Sequence, residues 1–217
     1  MDVLRLVPAY YDSNVYVVNG TVLIDAGMTP DFVMSGLEKL ADVSKIELVI
    51  LTHAHFDHFG AVEAILQKSG AKLGIYETDA PALKSDLLSC SLNFGFRTFP
   101  LEPDVLYQEG DKIRIGKGED GCDEFLEVIF TPGHTSGCMC LYEKNSKSLF
   151  SGDTVFSEGG IGRSDFKNSA PEKMSESIQK LAKLDVQCLY PGHGNPTLKN
   201  ANRSIEKSLK MSLMMNP

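Results

Sequence analysis

The chain has 217 residues and a formal net charge of −8, with 42% hydrophobic and 23% charged residues. This composition is ordinary for a globular protein and supplies enough apolar side chains for one sizeable domain, which we predict to cover residues 1–217. The acidic balance argues against a nucleic-acid surface, which would need clusters of Lys and Arg. No apolar run approaches the length of a membrane span.

Cysteine usage and the N-terminal residues indicate the compartment. Residues 1–5 (M-D-V-L-R) lack the basic start and the long apolar segment of a signal peptide. The five cysteines are an odd, scattered set, which does not fit a disulfide framework. We therefore expect a cytoplasmic protein, a monomer or homodimer, that acts on a small molecule and has no membrane or nucleic-acid partner.

The first half of the chain is predicted to begin with short strands and then to alternate strands with helices. Asn19-Gly20 is a strong hairpin turn signal between two apolar runs. The nearly unbroken apolar run at 46–51 is typical of a strand buried on both faces. We predict strands at 3–7, 14–18, 21–24, 46–51 and 71–76, and helices at 30–41, 61–68 and 77–88.

The second half repeats this order of strands followed by helices, after a long loop predicted at 89–103. We predict strands at 112–115, 125–131, 138–142, 148–151 and 187–190, and helices at 171–184 and 198–214. Two similar β/α halves, roughly 1–90 and 104–214, would pack sheet against sheet with helices outside. The predicted fold class is therefore α/β, a four-layer αββα sandwich.

A histidine cluster follows the predicted buried strand at 46–51. His53, His55 and His58 are three of the five histidines of the chain, and Asp57 lies among them. His53 and His55 alternate, so in an extended segment they would point the same way. Imidazoles and a carboxylate packed this closely would cost stability without a partner. The cluster therefore predicts a metal site.

Three further ligand candidates lie in similar loop contexts. His134 and His193 each follow Pro-Gly, and Asp153 follows a glycine at the end of a predicted strand. Taken singly, each of these is most often polar surface or a turn residue. Together with the cluster they give seven ligands, whereas one ion needs about four. The count fits two ions that share a bridge, and this ligand set suits zinc, iron or manganese.

Five separated motifs give the chain its resemblance to a known family. His53 to His58 resembles the H-x-H-x-D-H signature of the metallo-β-lactamase fold superfamily. The other four segments occur in the superfamily's order: 24–27 (I-D-A-G), 131–137 (T-P-G-H-T-S-G), 150–154 (F-S-G-D-T) and 191–194 (P-G-H-G). The resemblance implies the αββα fold and a two-metal site, with zinc favoured over iron or manganese.

The resemblance also implies which ligand binds which ion. His53, His55 and His134 would hold the first ion. Asp57, His58 and His193 would hold the second, and Asp153 would bridge the two.

Within the superfamily the chain is most similar to the glyoxalase-II-like group. Residues 131–137 and 159–166 (G-G-I-G-R-S-D-F) carry this similarity. Glyoxalase II has a further helical domain that binds glutathione, and only 24 residues follow His193 here, so we do not expect glutathione specificity.

The resemblance favours hydrolysis of an acyl bond, with a thioester as the preferred substrate. A hydroxide bridging the two ions would attack a carbonyl that one ion polarises. Asp57 would both bind the second ion and orient the attacking water, which makes it the predicted catalytic residue. Arg163 either pairs with a substrate carboxylate or forms a structural salt bridge with Asp165.

Two other functions compete with this one. The group is also similar to persulfide dioxygenases, in which a single Fe(II) would use His53, His134 and Asp153. The third possibility is a metal-binding module without catalysis, although seven ligands exceed what a closed structural site needs.

Overall fold

Two mixed β-sheets form the centre of the structure, a computed structural model that describes residues 1–7, 9, 11–118 and 121–215. The first sheet has six strands in the order β1-β2-β3-β4-β5-β6. These strands are β1 Val3–Leu6, β2 Val15–Val18, β3 Val22–Ile24, β4 Leu48–Leu51, β5 Lys72–Tyr76 and β6 Val105–Tyr107. The first three are antiparallel neighbours, whereas β3 to β6 run parallel.

The second sheet has five strands in the order β11-β10-β9-β8-β7. They are β7 Lys112–Lys117, β8 Asp123–Phe130, β9 Met139–Glu143, β10 Ser148–Gly152 and β11 Cys188–Pro191. Neighbours are antiparallel except β10 and β11, which run parallel. The five α-helices are α1 Pro30–Leu40, α2 Phe56–Phe59, α3 Val62–Ser69, α4 Met174–Leu181 and α5 Asn202–Met215.

Three apolar cores separate four layers. The first core lies between α1, α3 and the outer face of the first sheet, and it includes Leu37 and Ile65. The second lies between the two sheets and includes Ile50 and Phe150. The third lies between the second sheet and helices α4 and α5. The chain is thus an αββα sandwich, as predicted, because each sheet buries one face against its partner and the other against helices.

Strand β4 shows why a continuous apolar run was needed. Val49 and Leu51 belong to the outer core, whereas Ile50 faces the core between the sheets. All three side chains are fully buried. Because both faces of this strand are covered, its alternating side chains are all apolar, and the chain emerges at one sheet edge directly before His53.

The predicted helix at 77–88 is wrong. The segment forms a turn followed by a 3-10 helix at Ala80–Lys84. Its backbone bonds join residues three apart, from Ala82 N–H to Asp79 O and from Ser85 N–H to Ala82 O. Pro81 has no N–H to donate, so an α-helical ladder is not completed here.

Other elements also differ from the predictions. Strand β6 was not predicted, because its three residues alternate little and follow the irregular loop at 89–103. Helix α5 begins at Asn202 instead of 198, since Thr197 still pairs with Leu189 as an extension of the sheet. In the described part of the chain, no helix is both long and apolar enough to cross a membrane.

Candidate metal centre

The histidine cluster lies in the loop between β4 and α2. His55 has extended backbone angles and immediately precedes α2, whereas His53 lies in the bend that follows β4. Asp57 and His58 lie within α2 itself. The change from strand to helix turns these side chains toward one point, and all four are at most 7% exposed.

The other three predicted residues come to the same point from the second sheet. His134 lies in the loop between β8 and β9, Asp153 follows β10, and His193 follows β11. His193 Nε2 lies 3.1 Å from Asp57 Oδ2 and 3.5 Å from Asp153 Oδ2. The structure therefore brings all seven sequence-predicted residues together at the seam between the sheets.

The ligand atoms form three groups, each with its atoms within 4.8 Å of one another. Asp153 is central, because one of its oxygens lies 3.5 Å from His58 Nε2 and the other lies 3.5 Å from His134 Nε2. The groups are His53, His55 and His134; His53, His58 and Asp153; and Asp57, His58 and His193.

Several of these atoms make no hydrogen bond with the described residues. The Nε2 atoms of His53, His55 and His58 and the Oδ1 atom of Asp153 are buried without a hydrogen bond. Buried polar groups are normally paired, so each such atom costs free energy unless a ligand completes it. Imidazole nitrogens and carboxylate oxygens are suitable donors for a divalent transition metal. The residues present thus fit a metal centre.

Asp25, at the end of β3, sets the proton positions on two of the histidines. It accepts hydrogen bonds from the Thr52 backbone N–H at 2.8 Å and from the Thr52 hydroxyl at 2.9 Å. Its other partner is His58 Nδ1, at 2.9 Å. Because a carboxylate accepts, His58 donates through Nδ1–H, and its Nε2 atom points toward the ligand cluster.

The same chain of bonds reaches His53. The hydroxyl hydrogen of Thr52 points to Asp25, so Thr52 Oγ1 is an acceptor for His53 Nδ1–H at 3.2 Å. The Nε2 atom of His53 is then left with its lone pair free for a metal.

His134 is oriented from the opposite side. Its Nδ1–H donates to the backbone carbonyl of Arg163 at 2.5 Å. This contact needs close approach of the chain at Gly162, where a Cβ atom would lie 2.0 Å from the Asp153 carbonyl oxygen and 3.0 Å from the His134 ring. Only glycine fits there, so the segment 159–166 predicted from the motif lies directly against the ligands.

Asp79 joins three loops around the centre and was not predicted. Its carboxylate is fully buried. It accepts hydrogen bonds from Ala54 N–H at 2.8 Å, Thr135 Oγ1 at 2.8 Å, Gly137 N–H at 3.0 Å and Asn168 Nδ2 at 2.9 Å. Burial nevertheless raises its pKa. The one available signal was a carboxylate three residues after a buried strand, which the assignment of a helix at 77–88 obscured.

Burial keeps two of the histidines neutral. The loss of solvent lowers the pKa of His53 well below its usual value and lowers the pKa of His55 to about 3. Both imidazoles therefore carry the free lone pair that a metal ligand needs.

Nearby carboxylates raise the pKa values of His58 and His193, the two histidines expected to bind the second ion. Burial opposes their charge, yet Asp25 and Asp153 raise the pKa of His58, while Asp153 and Asp57 raise that of His193. Burial would raise the pKa values of Asp57 and Asp153, but the imidazoles lower them. His58 has the largest lowering effect on Asp57, and His193 has the largest on Asp153. Without a metal, protons thus supply the positive charge in this part of the centre.

A cavity of about 320 Å³ opens onto the centre. The ligands His55, Asp57, His134, Asp153 and His193 form its floor. Its walls come from two segments of irregular chain, Cys90 to Phe94 and Phe156 to Phe166. Part of this wall belongs to the motif at 159–166, in which only Arg163 was given a role from the sequence. The remaining wall residues were not identified as site residues, because no local pattern marks them; they are Cys90, Asn93, Phe94 and Phe156.

Arg163 lies at the mouth of this cavity with its side chain bound to Asp165. The two bonds measure 3.0 Å from Nε and 2.8 Å from the terminal nitrogen. The guanidinium also lies 4.9 Å from the Phe166 ring centre. Of the two roles considered for Arg163, the salt bridge with Asp165 is present in the structure.

Comparisons with known proteins agree with this geometry. The sequence pattern of the metallo-beta-lactamase superfamily matches residues 10–193. A probable metallo-hydrolase of Bacillus subtilis, YqgX, is 36% identical over 152 residues, covering 69% of each chain. The hydroxyacylglutathione hydrolase GloC of Haemophilus influenzae is 33% identical over 180 residues, covering 81% of this chain and 80% of that protein.

Among solved structures, the fold is similar to that of BLEG-1, a B3 metallo-beta-lactamase, with a TM-score of 0.81 at 24% identity and full coverage of both chains. The di-iron-bound form of TTHA1623 superposes with a TM-score of 0.74 at 24% identity over 96% of each chain.

Proposed function

Because the chain belongs to the metallo-beta-lactamase superfamily, we propose that it is a binuclear metal-dependent hydrolase of acyl bonds, with small-molecule thioesters as the preferred substrates. The observation that carries this proposal is the placement of Asp153. Its carboxylate lies 3.5 Å from His134, a member of the triad His53, His55 and His134. It also lies 3.5 Å from His58 and from His193, members of the triad Asp57, His58 and His193. Two triads around a shared carboxylate, open to a cavity, suit two ions with free coordination positions.

The two triads would hold zinc, or alternatively iron or manganese, with Asp153 between the ions. Divalent ions bound here would supply two effects, since such ions lower the pKa of a bound water to roughly 7 and polarise a substrate carbonyl. The name of the relative GloC, a hydrolase of a hydroxyacylglutathione, supports an acyl-thioester substrate.

The chain's own residues orient the attacking water and hold the Nδ1 protons of the histidines. Asp57 lines the cavity floor, and its carboxylate, kept ionised by His58 and His193, orients the attacking water by accepting its hydrogen bond. Asp25 and the Arg163 carbonyl hold the Nδ1 protons of His58 and His134, so the Nε2 atoms of these rings stay directed at the site. A thiolate is stable enough to leave without a dedicated general acid.

The test is elemental analysis of protein purified without added metal, followed by two assays on the same sample. We expect two transition-metal ions per chain, and hydrolysis of a thioester without oxygen uptake. One iron per chain, with sulfite formed from a persulfide, would instead identify the mononuclear dioxygenase. If His58→Ala lost stability but kept full thioester turnover, the site would be a metal-binding module without a catalytic role.

Arg163 is the proposed contact for an anionic group of the substrate. Its guanidinium would exchange the carboxylate of Asp165 for that of a substrate at the cavity mouth. We expect Arg163→Gln to raise KM about tenfold for a thioester that carries a carboxylate, and to leave KM unchanged for a neutral thioester. Arg114→Gln is the matched control, because Arg114 also pairs with an aspartate, Asp123, but lies on β7. Equal KM changes for both substrates would contradict this role.

A further inference from the structure

We propose that the substrate is a thioester with an apolar acyl group of medium length and a thiol part that carries at most one anionic group. This inference deepens the proposed hydrolase function and rests on it. It comes from the walls of the cavity, which the metal ligands do not determine.

Two phenylalanines stand on opposite sides of the ligand floor. Phe166 meets the rings of His55 and His134 edge to face, with ring centres 5.0 and 5.7 Å apart. Phe156 approaches His193 from the other side, at 6.4 Å. A carbonyl placed over the ligands would therefore have apolar surface on both sides.

Apolar surface continues outward along a third wall. Phe94 lines the cavity and ends the 3-10 turn Ser91–Phe94. The same segment leaves Leu92 and Phe96 exposed, at 55% and 42%. Phe96 is held in place by stacking on Phe56, whose ring centre is 5.2 Å away. An acyl chain that leaves the floor past Phe94 would therefore contact apolar surface.

The charged residues that line the cavity limit the thiol part of the substrate. Among the described residues that line the cavity, Arg163 is the only Lys or Arg. Asp165 already neutralises it through two hydrogen bonds. Outside the metal-binding floor, a thiol with several carboxylates would find no further cationic side chain among the described lining residues to replace its lost hydration, so neutral or singly charged thiols are favoured.

The cavity is also small. Its volume of about 320 Å³ lies at the lower end of the range of about 300 to 1,000 Å³ usual for ligand sites. It has room for one short chain beside the reacting carbonyl, and longer chains would extend out of it.

The first experiment compares thioesters of one neutral thiol, N-acetylcysteamine, with acetyl, butyryl and hexanoyl groups. We expect kcat/KM of the metal-loaded protein to rise about fourfold per methylene, the ratio for burying one such group, until the cavity is filled. Butyryl-glutathione should react no faster than butyryl-N-acetylcysteamine. A flat or falling chain-length series, or a tenfold preference for the glutathione ester, would overturn the inference.

Three variants test which side chains cause kcat/KM to rise with acyl chain length. Phe156→Ala and Phe94→Ala should each reduce the rise per methylene to twofold or less. Phe125→Ala is the control, because Phe125 is another partly exposed phenylalanine, at 40%, but lies on β8 outside the cavity. If all three variants retained the wild-type slope, these walls would not be the acyl site.

A binding measurement separates this inference from the proposed function. Calorimetry with acetate, butyrate and hexanoate requires no turnover. Tighter binding of the longer carboxylates without turnover of any thioester would overturn the hydrolase proposal but support the apolar pocket. Turnover combined with binding that does not depend on chain length would support the hydrolase and overturn the pocket.

Discussion

At the scale of single residues, two buried carboxylates outside the metal ligands organise the centre. Asp25 is 1% exposed and directs the protons of His53, through Thr52, and of His58. Asp79 is fully buried and accepts four hydrogen bonds. Each carboxylate accepts hydrogen bonds on both of its oxygens. These bonds fix the loops that carry the ligands and so hold the ligands in place.

Replacing Asp79 is expected to loosen three loops together. Asp79→Ala would leave four donors buried, and each unpaired buried donor costs about 1–3 kcal/mol. We expect the free energy of unfolding to fall by about 4 kcal/mol, measured by urea denaturation, and metal affinity to fall at least tenfold in a chelator competition. Asp79→Asn, which retains one acceptor oxygen, should recover part of both losses.

Asp104→Ala is the control for this prediction. Asp104 is exposed, and its carboxylate accepts a hydrogen bond from the Leu73 N–H of strand β5 at 2.8 Å. Its loss should cost about 1 kcal/mol and leave metal affinity unchanged. If Asp79→Ala behaved like this control, the loops would be held by other contacts.

At the scale of elements, the centre is built from the ends of strands. Strands β3, β4 and β5 run parallel and deliver Asp25, His53 and Asp79 to one edge of the first sheet. Strands β10 and β11 also run parallel and deliver Asp153 and His193 to the facing edge. Because parallel strands end on the same side, side chains distant in sequence meet without long connecting loops.

The segment that follows β10 can be tested at Gly162. A Cβ atom there would lie 2.0 Å from the Asp153 carbonyl oxygen, so Gly162→Ala must push the segment away and draw the Arg163 carbonyl off His134. We expect a loss of stability of about 1–3 kcal/mol and metal affinity lower by about 10-fold to 100-fold. Thermal denaturation and chelator competition measure the two effects.

Gly160→Ala serves as the control in the same segment. The nearest atom to its Cβ would be on the Phe156 ring, 3.3 Å away, so a small side-chain adjustment accommodates it. A metal affinity in Gly162→Ala equal to that of Gly160→Ala would show that the close approach does not hold His134.

At the scale of the whole molecule, the metal centre lies on the seam between the two sheets. Ligands from the first sheet (His53 to His58) face ligands from the second (His134, Asp153 and His193), and several of their atoms are buried without partners. Bound ions would therefore join the two halves as well as supply chemistry. Stability and metal content should be coupled.

Metal removal tests this coupling. A ligand present at about 1,000 times its Kd stabilises a folded protein by about 4 kcal/mol, so chelation should lower Tm clearly, and added zinc should restore it. Differential scanning calorimetry measures the change. His53→Ala, which removes one ligand of the first triad, should show a smaller metal-dependent shift. A Tm that is the same with and without metal would contradict the placement of ions on the seam.

The residues that meet in the candidate metal centre and the architecture could be predicted from the sequence because both leave local patterns. Alternating imidazoles at His53 and His55, glycine before His134, Asp153 and His193, and apolar runs such as 46–51 are all visible in short windows. The αββα layers followed from the order of these runs. The helix predicted at 77–88 failed since a weak helical pattern there was overridden by Pro81 and by the bonds of Asp79.

Only the tertiary structure decided how the centre is held and what surrounds it. The path from Asp25 through Thr52 to His53, the four bonds of Asp79 and the apolar walls at Phe156 and Phe166 join residues that are tens of positions apart or lie in irregular chain. Such contacts depend on where the strand ends come together, and no periodicity in the sequence records that. The sequence by itself determined which side chains can bind metal, and the packing of the two sheets determined their proton positions and the shape of the cavity beside them.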